Sequence, residues 1–230
     1  MMSSPSTILF AALTGSISGL LLSMPIGPVN LTIINEGARR GFLQGMLIGL
    51  GASVMELIYC TIAFTGFSSF FSDRVVKASM EVFSFTFLLF LGAKFLMAKT
   101  VTAPTQLGAA AGRIEARVGE KFNPHSAFMT GFVRVLGNLG VLLFWIVLAA
   151  NFMAHDWVAD TFVAKTACVA GVALGTNLWF CALSYGVSRG CNRFSESTLV
   201  RMQHISGLCL IAVGLFDGGH IVWQLARHRI

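Results

Sequence analysis

The sequence predicts an all-α integral membrane protein: six transmembrane helices forming two inverted three-helix repeats, each with an interrupted first helix. Three observations lead there. Hydrophobic residues are 55% of the chain and charged residues 11%, whereas soluble domains carry about 25% charged residues; mean hydropathy is +0.76. Too few polar side chains remain to cover the molecule, so its outer solvent is lipid. Apolar runs of spanning length recur along the chain, and its second half resembles its first.

A membrane-crossing helix needs about 20 mostly apolar residues. The runs are 8–34, 44–71, 82–97, 128–152, 163–188 and 199–225, the third being the shortest. Residues 1–97 then form the first repeat and residues 126–230 the second, within one membrane domain. Residues 98–125 hold Pro104, Gly108, Gly112, Pro124 and most of the mid-chain charge; they read as a cytoplasmic loop with an amphipathic helix around 109–121. Residues 39–40, 98–125 and 189–201 place the larger share of Lys and Arg on one side, which the positive-inside rule assigns to the cytoplasm. Both termini are then outside, although Arg227 and Arg229 oppose that orientation. No basic residue precedes the first apolar run, which argues against a cleaved secretory signal.

The repeat is legible in three successive segments. GASVMELIYCTIAFTG (51–66) aligns with GVALGTNLWFCALSYG (171–186), and GLLLSMPIGP (19–28) with GFVRVLGNLG (131–140). The helix containing Gly92 pairs with the one containing Gly214. Three spans per unit is an odd number, so the second unit enters the membrane upside down, the plan of many secondary transporters.

Within the first run, MPIGPVN (24–30) carries its own break. Pro25 and Pro28 each remove a backbone donor and crowd the preceding turn, and Gly27 relaxes the backbone between them. Backbone groups freed at membrane depth are tolerated only where protein or a water-filled cavity satisfies them. A plain proline kink would read the same locally. Gly137, Asn138 and Gly140 supply the balancing observation, because they interrupt the second repeat at the corresponding place. Matched interruptions point to a midplane site where half-helix ends meet a charged solute. Pro25, Gly27, Pro28, Asn30 and Asn138 are therefore candidate binding residues.

Glu56 sits mid-span, where an acid costs about 2.5–3.5 kcal/mol on insertion scales. It should face the interior, either with a partner or with a proton in place of its charge; a cation-coupling role and a purely structural hydrogen-bonded acid both fit. Arg134 lies four residues before Asn138, so the two share a helix face, and its donor fork suits a carboxylate. A snorkelling arginine would have the same sequence signature. Asn177, with Thr176, falls opposite Leu57 and Glu56 in the repeat register. Asp217 and His220 offer either a proton relay or a helix-end cap.

The remaining residues exclude other chemistries. Five scattered cysteines without CxxC or His spacing read as small buried hydrophobes. Trp145, Trp157, Trp179 and Trp223 read as interfacial or packing aromatics. Gly45 and Gly49 permit close helix packing. No phosphate loop, dinucleotide fingerprint, zinc signature or nucleophile elbow is present. The reading is of no enzyme, no cofactor and no metal site. The net charge of +6 is spread over short loops, giving no nucleic-acid stripe.

These residues resemble the lysine exporter (LysE/RhtB-type) family of amino-acid efflux proteins. The stretch PIGPVNLTIINEGARRGFLQGMLIGLGASVMELIYCTIAFTG is similar to that family's first-repeat signature, with Gly27, Pro28, Gly41, Gly45, Gly49, Gly51 and Gly66 in place. Glu56 stands where the family usually has aspartate, and Met55 where several members have glycine. FMTGFVRVLGNLGVLLFW is similar to the second motif, but Leu139 replaces its usual proline after Asn138, and Arg134 and Val135 also depart from it. The resemblance covers nearly the whole chain and implies proton-driven export of amino acids or small related metabolites across the bacterial inner membrane. Its partners would be the solute, protons and the lipid bilayer, with a homodimer also admitted. Two other readings stand beside it: a non-transporting membrane scaffold or subunit that binds a partner through 98–125, and a divalent-cation exporter of the same superfamily. The last is weakened because Glu56 is the one deep acid, while such cations take several oxygen ligands.

Overall fold

A computed structural model describes residues 5–25, 27–66, 74–98, 117–118, 126–190 and 196–227. Among them the chain is all-helical, with eight helices and no strand: α1 (Pro5–Ser23), α2 (Pro28–Arg40), α3 (Phe42–Gly66), α4 (Arg74–Leu96), α5 (Ala127–Leu136), α6 (Leu139–Ala154), α7 (Phe162–Ser188) and α8 (Glu196–Arg227). With no water in a bilayer core, each segment must bond its own backbone; long apolar runs therefore resolve into helices. Helices α1, α3 and α7 are each long and apolar enough to cross a membrane. Helices α5 and α6, bent by 67° at their junction, make a fourth crossing if counted as one broken span. The chain is a multi-pass membrane protein.

Several boundaries differ from the sequence reading. The first run divides into α1 and a separate α2, whose polar content (Glu36, Arg39, Arg40) sets it apart. Helices α4 and α8 carry shorter apolar stretches, Val82–Leu96 and Val200–Phe216. The loop 98–125 with its expected amphipathic helix lies outside the described residues, apart from Ala98 and the helical pair Arg117 and Val118.

Helices α3 and α7 form the middle of the bundle. Each packs against the other and against the first helix of the opposite half: α7 runs along α1, and α3 along α5. Helix α3 also meets α6 while α7 meets α2, and α4 pairs with α8. The two long crossings depend on glycine. A Cβ on Gly131 would fall on the Ile48 carbonyl, and one on Gly51 on the Phe128 carbonyl; without side chains there the α3 and α5 backbones come into direct contact. At the α1–α7 crossing Gly15, Gly19, Gly171 and Gly175 do the same. The buried side of the bundle is built on Phe64, Trp145, Phe180 and Leu183. Leu9, Ile17, Phe90, Leu174 and Leu215 lie exposed on the outside, where lipid meets them.

Candidate functional site

The first interruption is a local consequence of its prolines and is completed from a distance. Helix α1 ends at Ser23 and α2 begins at Pro28. Pro25 and Pro28 have no N–H to offer the last carbonyls of α1, which are left without helical partners. Asn30, 3% exposed, replaces them: its Nδ2 donates to the Ser23 and Pro25 carbonyls, both at 2.8 Å. Its Oδ1 accepts from Nε1 of Trp179 on α7 at 3.2 Å. Gly27 has extended backbone and caps α2, with Pro28 in the first helical position where a missing N–H is harmless. The first amides of α2 have no carbonyl one turn behind them.

The second interruption has the same logic with other residues. Helix α5 ends at Leu136, Gly137 follows, and the Asn138 side chain caps α6 by accepting from the Gly140 amide at 3.1 Å. The Tyr59 hydroxyl on α3 donates to the Leu136 carbonyl at 2.8 Å. Tyr59 and Trp179 are each the ninth residue of the two similar segments 51–66 and 171–186. Each interruption is thus tied to the polar tip of an aromatic residue from the opposite half.

Between the interruptions lies a cavity of about 60 Å³. Leu22, Pro25 and Gly27 line it from the first interruption, and Val141, Phe144 and Trp145 from the helix that follows the second. Leu91, Phe95 and Leu210 close it from α4 and α8. Glu56 also lines it, 9% exposed, and is the sole ionisable residue on its wall among the described residues. No hydrogen bond or ion pair joins its carboxylate to another described residue. The volume is several times what one water needs, so the cavity has room beside the carboxylate for solvent or a solute group.

A second polar cluster lies one turn before Glu56. Ser53 and Thr176 hydroxyls are 2.8 Å apart where α3 meets α7, and Nδ2 of Asn177 donates to Ser53 Oγ at 2.9 Å and to the Ala173 carbonyl at 2.8 Å. Both hydroxyl residues are buried.

The structure therefore gathers Pro25, Gly27 and Glu56 on one cavity wall. Pro28 and Asn30 build the first interruption, and Asn138 the second. Asn177 stands beside the neighbouring turn of α3. Arg134 lies in the last turn of α5 with its side chain exposed, and it does not line the cavity. The side chains of Asp217, His220 and Trp223 lie outside the described residues. Sequence reasoning passed over Ser53, Tyr59, and the polar role of Trp179; Trp145 and Trp179 are both buried. Ser53 was detectable as the residue three before Glu56 on the same helix face, and the two aromatics by their equivalent places in the repeat.

Comparison with known proteins identifies the family. The description "LysE type translocator" belongs to the family that matches residues 20–216. A protein of Bacillus subtilis (strain 168) named "Putative amino acid efflux protein YcgF" is 28% identical over 207 residues, covering 90% of this chain and 94% of the relative. No solved structure matches the chain. With two interrupted helices around a buried acid and a family match over most of its length, the chain belongs to the LysE type translocator family, a family of transporters and not of enzymes.

Proposed function

We propose that this protein exports amino acids across the bacterial inner membrane in exchange for protons, through two inverted units of three spans each. One observation carries the reading: Glu56, buried and without a protein partner among the described residues, shares its cavity with Pro25 and Gly27 of one interruption and with the first turns after the other. The reciprocal packing supports inversion, since α1 on α7 and α5 on α3 exchange under the internal repeat, as do α2 on α7 and α6 on α3. The name of the Bacillus subtilis relative supports amino acids as the solute class. Orientation follows the loop charges, with 98–125 in the cytoplasm and the termini outside.

In this mechanism the solute's ammonium meets the Glu56 carboxylate. Its own carboxylate meets the first amides of α2 after Gly27, where the helix dipole favours negative charge. Protonation of Glu56 removes the attraction for the ammonium and releases the solute, so proton entry and solute exit compete for one group. Asn30 and Asn138 hold the two half-helices open, and Asn177 steadies the neighbouring turn of α3 through Ser53.

The test is amino-acid efflux from proteoliposomes with and without an imposed proton gradient, for the wild type and Glu56→Gln. The proposal expects Glu56→Gln to retain downhill exchange at a reduced rate while losing at least tenfold of the gradient-driven component. Undiminished gradient coupling in the variant would remove Glu56 from the mechanism.

A further inference from the structure

The Glu56 cavity is small for a whole amino acid: about 60 Å³, against roughly 300–1,000 Å³ for small-molecule sites. A second space adjoins it. A cleft of about 350 Å³ lies among α1, α4, α6 and α8, with a wall that is almost wholly apolar and carries no charged side chain among the described residues. Leu22 and Leu210 line both spaces. The two spaces therefore adjoin at these leucines, with the carboxylate on one side and the apolar cleft on the other. Buried Leu88 and Leu148, with Val213, wall the cleft on the inside, and it opens to the outside past Phe10, Leu13 and Ile17 of α1, with Trp157 against Phe216 at one edge.

The charge inventory restricts what fits. A single acid on the joint wall matches one ammonium, and a solute with a second cation in its side chain would bury that charge without a partner. An acidic side chain would meet no cation on either wall among the described residues. An apolar side chain gains from the second space because its surface is removed from water.

We propose that the cleft beyond Leu22 and Leu210 is the side-chain pocket of the transport site, and that the exported solutes are amino acids with large apolar side chains. This rests on the amino-acid efflux reading above and adds the substrate class to it.

The experiment is counterflow in proteoliposomes with labelled alanine, leucine, phenylalanine, lysine and glutamate. Leucine and phenylalanine should exchange at least tenfold faster than lysine or glutamate. Val213 lines the cleft but not the Glu56 cavity. Val213→Trp should lower the phenylalanine-to-alanine ratio at least tenfold. Val213→Ala, which only removes volume and serves if the tryptophan variant misfolds, should raise the ratio for phenylalanine over leucine. Exchange of lysine, glutamate or alanine in preference to leucine would overturn the side-chain assignment and leave amino-acid export standing. Ratios unmoved by both variants would give the cleft to lipid chains and also overturn it. Failure of the wild type to exchange any of the five would sink the efflux reading and this one together.

Discussion

Trp179 and Asn30 are joined by a 3.2 Å hydrogen bond that bridges 149 positions of sequence and both halves of the molecule. Asn30 spends its two amide hydrogens on the carbonyls that the prolines strand, and the indole fixes which way that amide faces. The opening after α1 is thereby set by a residue of α7.

That relationship orders two substitutions. Asn30→Ala should lower stability more than Trp179→Phe, because it strands two carbonyls, one buried and one part-buried, whereas the aromatic change strands the single Asn30 Oδ1 acceptor at about 1–3 kcal/mol. Thermal unfolding in detergent measures both. Equal or reversed costs would show that the interruption is held by something other than Asn30.

Glu56 should trade stability against transport. Glu56→Leu replaces a buried acid at mid-span with a residue the surroundings already favour, and should stabilise the protein by up to about 3 kcal/mol. Gradient-driven efflux should disappear in the same variant. A destabilised Glu56→Leu protein would mean that the carboxylate supports the fold itself.

The hydroxyl pair at the α3–α7 crossing is expected to be modest but coupled. Ser53→Ala and Thr176→Val each remove one side of a 2.8 Å contact. A double-mutant cycle should return about 0.6 kcal/mol, and no more than about 1.7. A coupling energy of zero would indicate that each hydroxyl is content with the backbone alone.

Packing at the long crossings is directional. Gly131→Ala puts a methyl group on the Ile48 carbonyl of α3 and should cost about 1–3 kcal/mol, since neither backbone can yield cheaply. Gly219→Ala on α8 meets nothing within 4 Å and should be neutral or gain up to about 1 kcal/mol of helix propensity. Chemical denaturation of the two variants side by side would expose a loose α3–α5 interface if both were neutral.

Much of the site could be read before any coordinates. The positions of both interruptions, the burial of Glu56 and the close glycine contacts at Gly45 and Gly49 all follow from residue type and spacing, because prolines, glycines and a mid-span acid act on their own backbone turn. Gly45 meets Ser184 and Gly49 meets Phe180 at the α3–α7 crossing. The helix boundaries were less legible. Pro28 not only interrupts the first run but starts an independent helix, and the charges of α2 acquire meaning only once it is separate.

What the chain determined by itself is where the backbone must lose hydrogen bonds and where an acid must be hidden, since both are local matters of a missing N–H and of lipid that cannot hydrate charge. Which groups answer those needs was decided by the tertiary fold: Trp179 for Asn30, Tyr59 for Leu136, and a cavity wall from four helices around Glu56. Such partners depend on how each helix is rotated and how closely glycines let it approach its neighbour, and rotation and approach are properties of the packed bundle that no single segment contains.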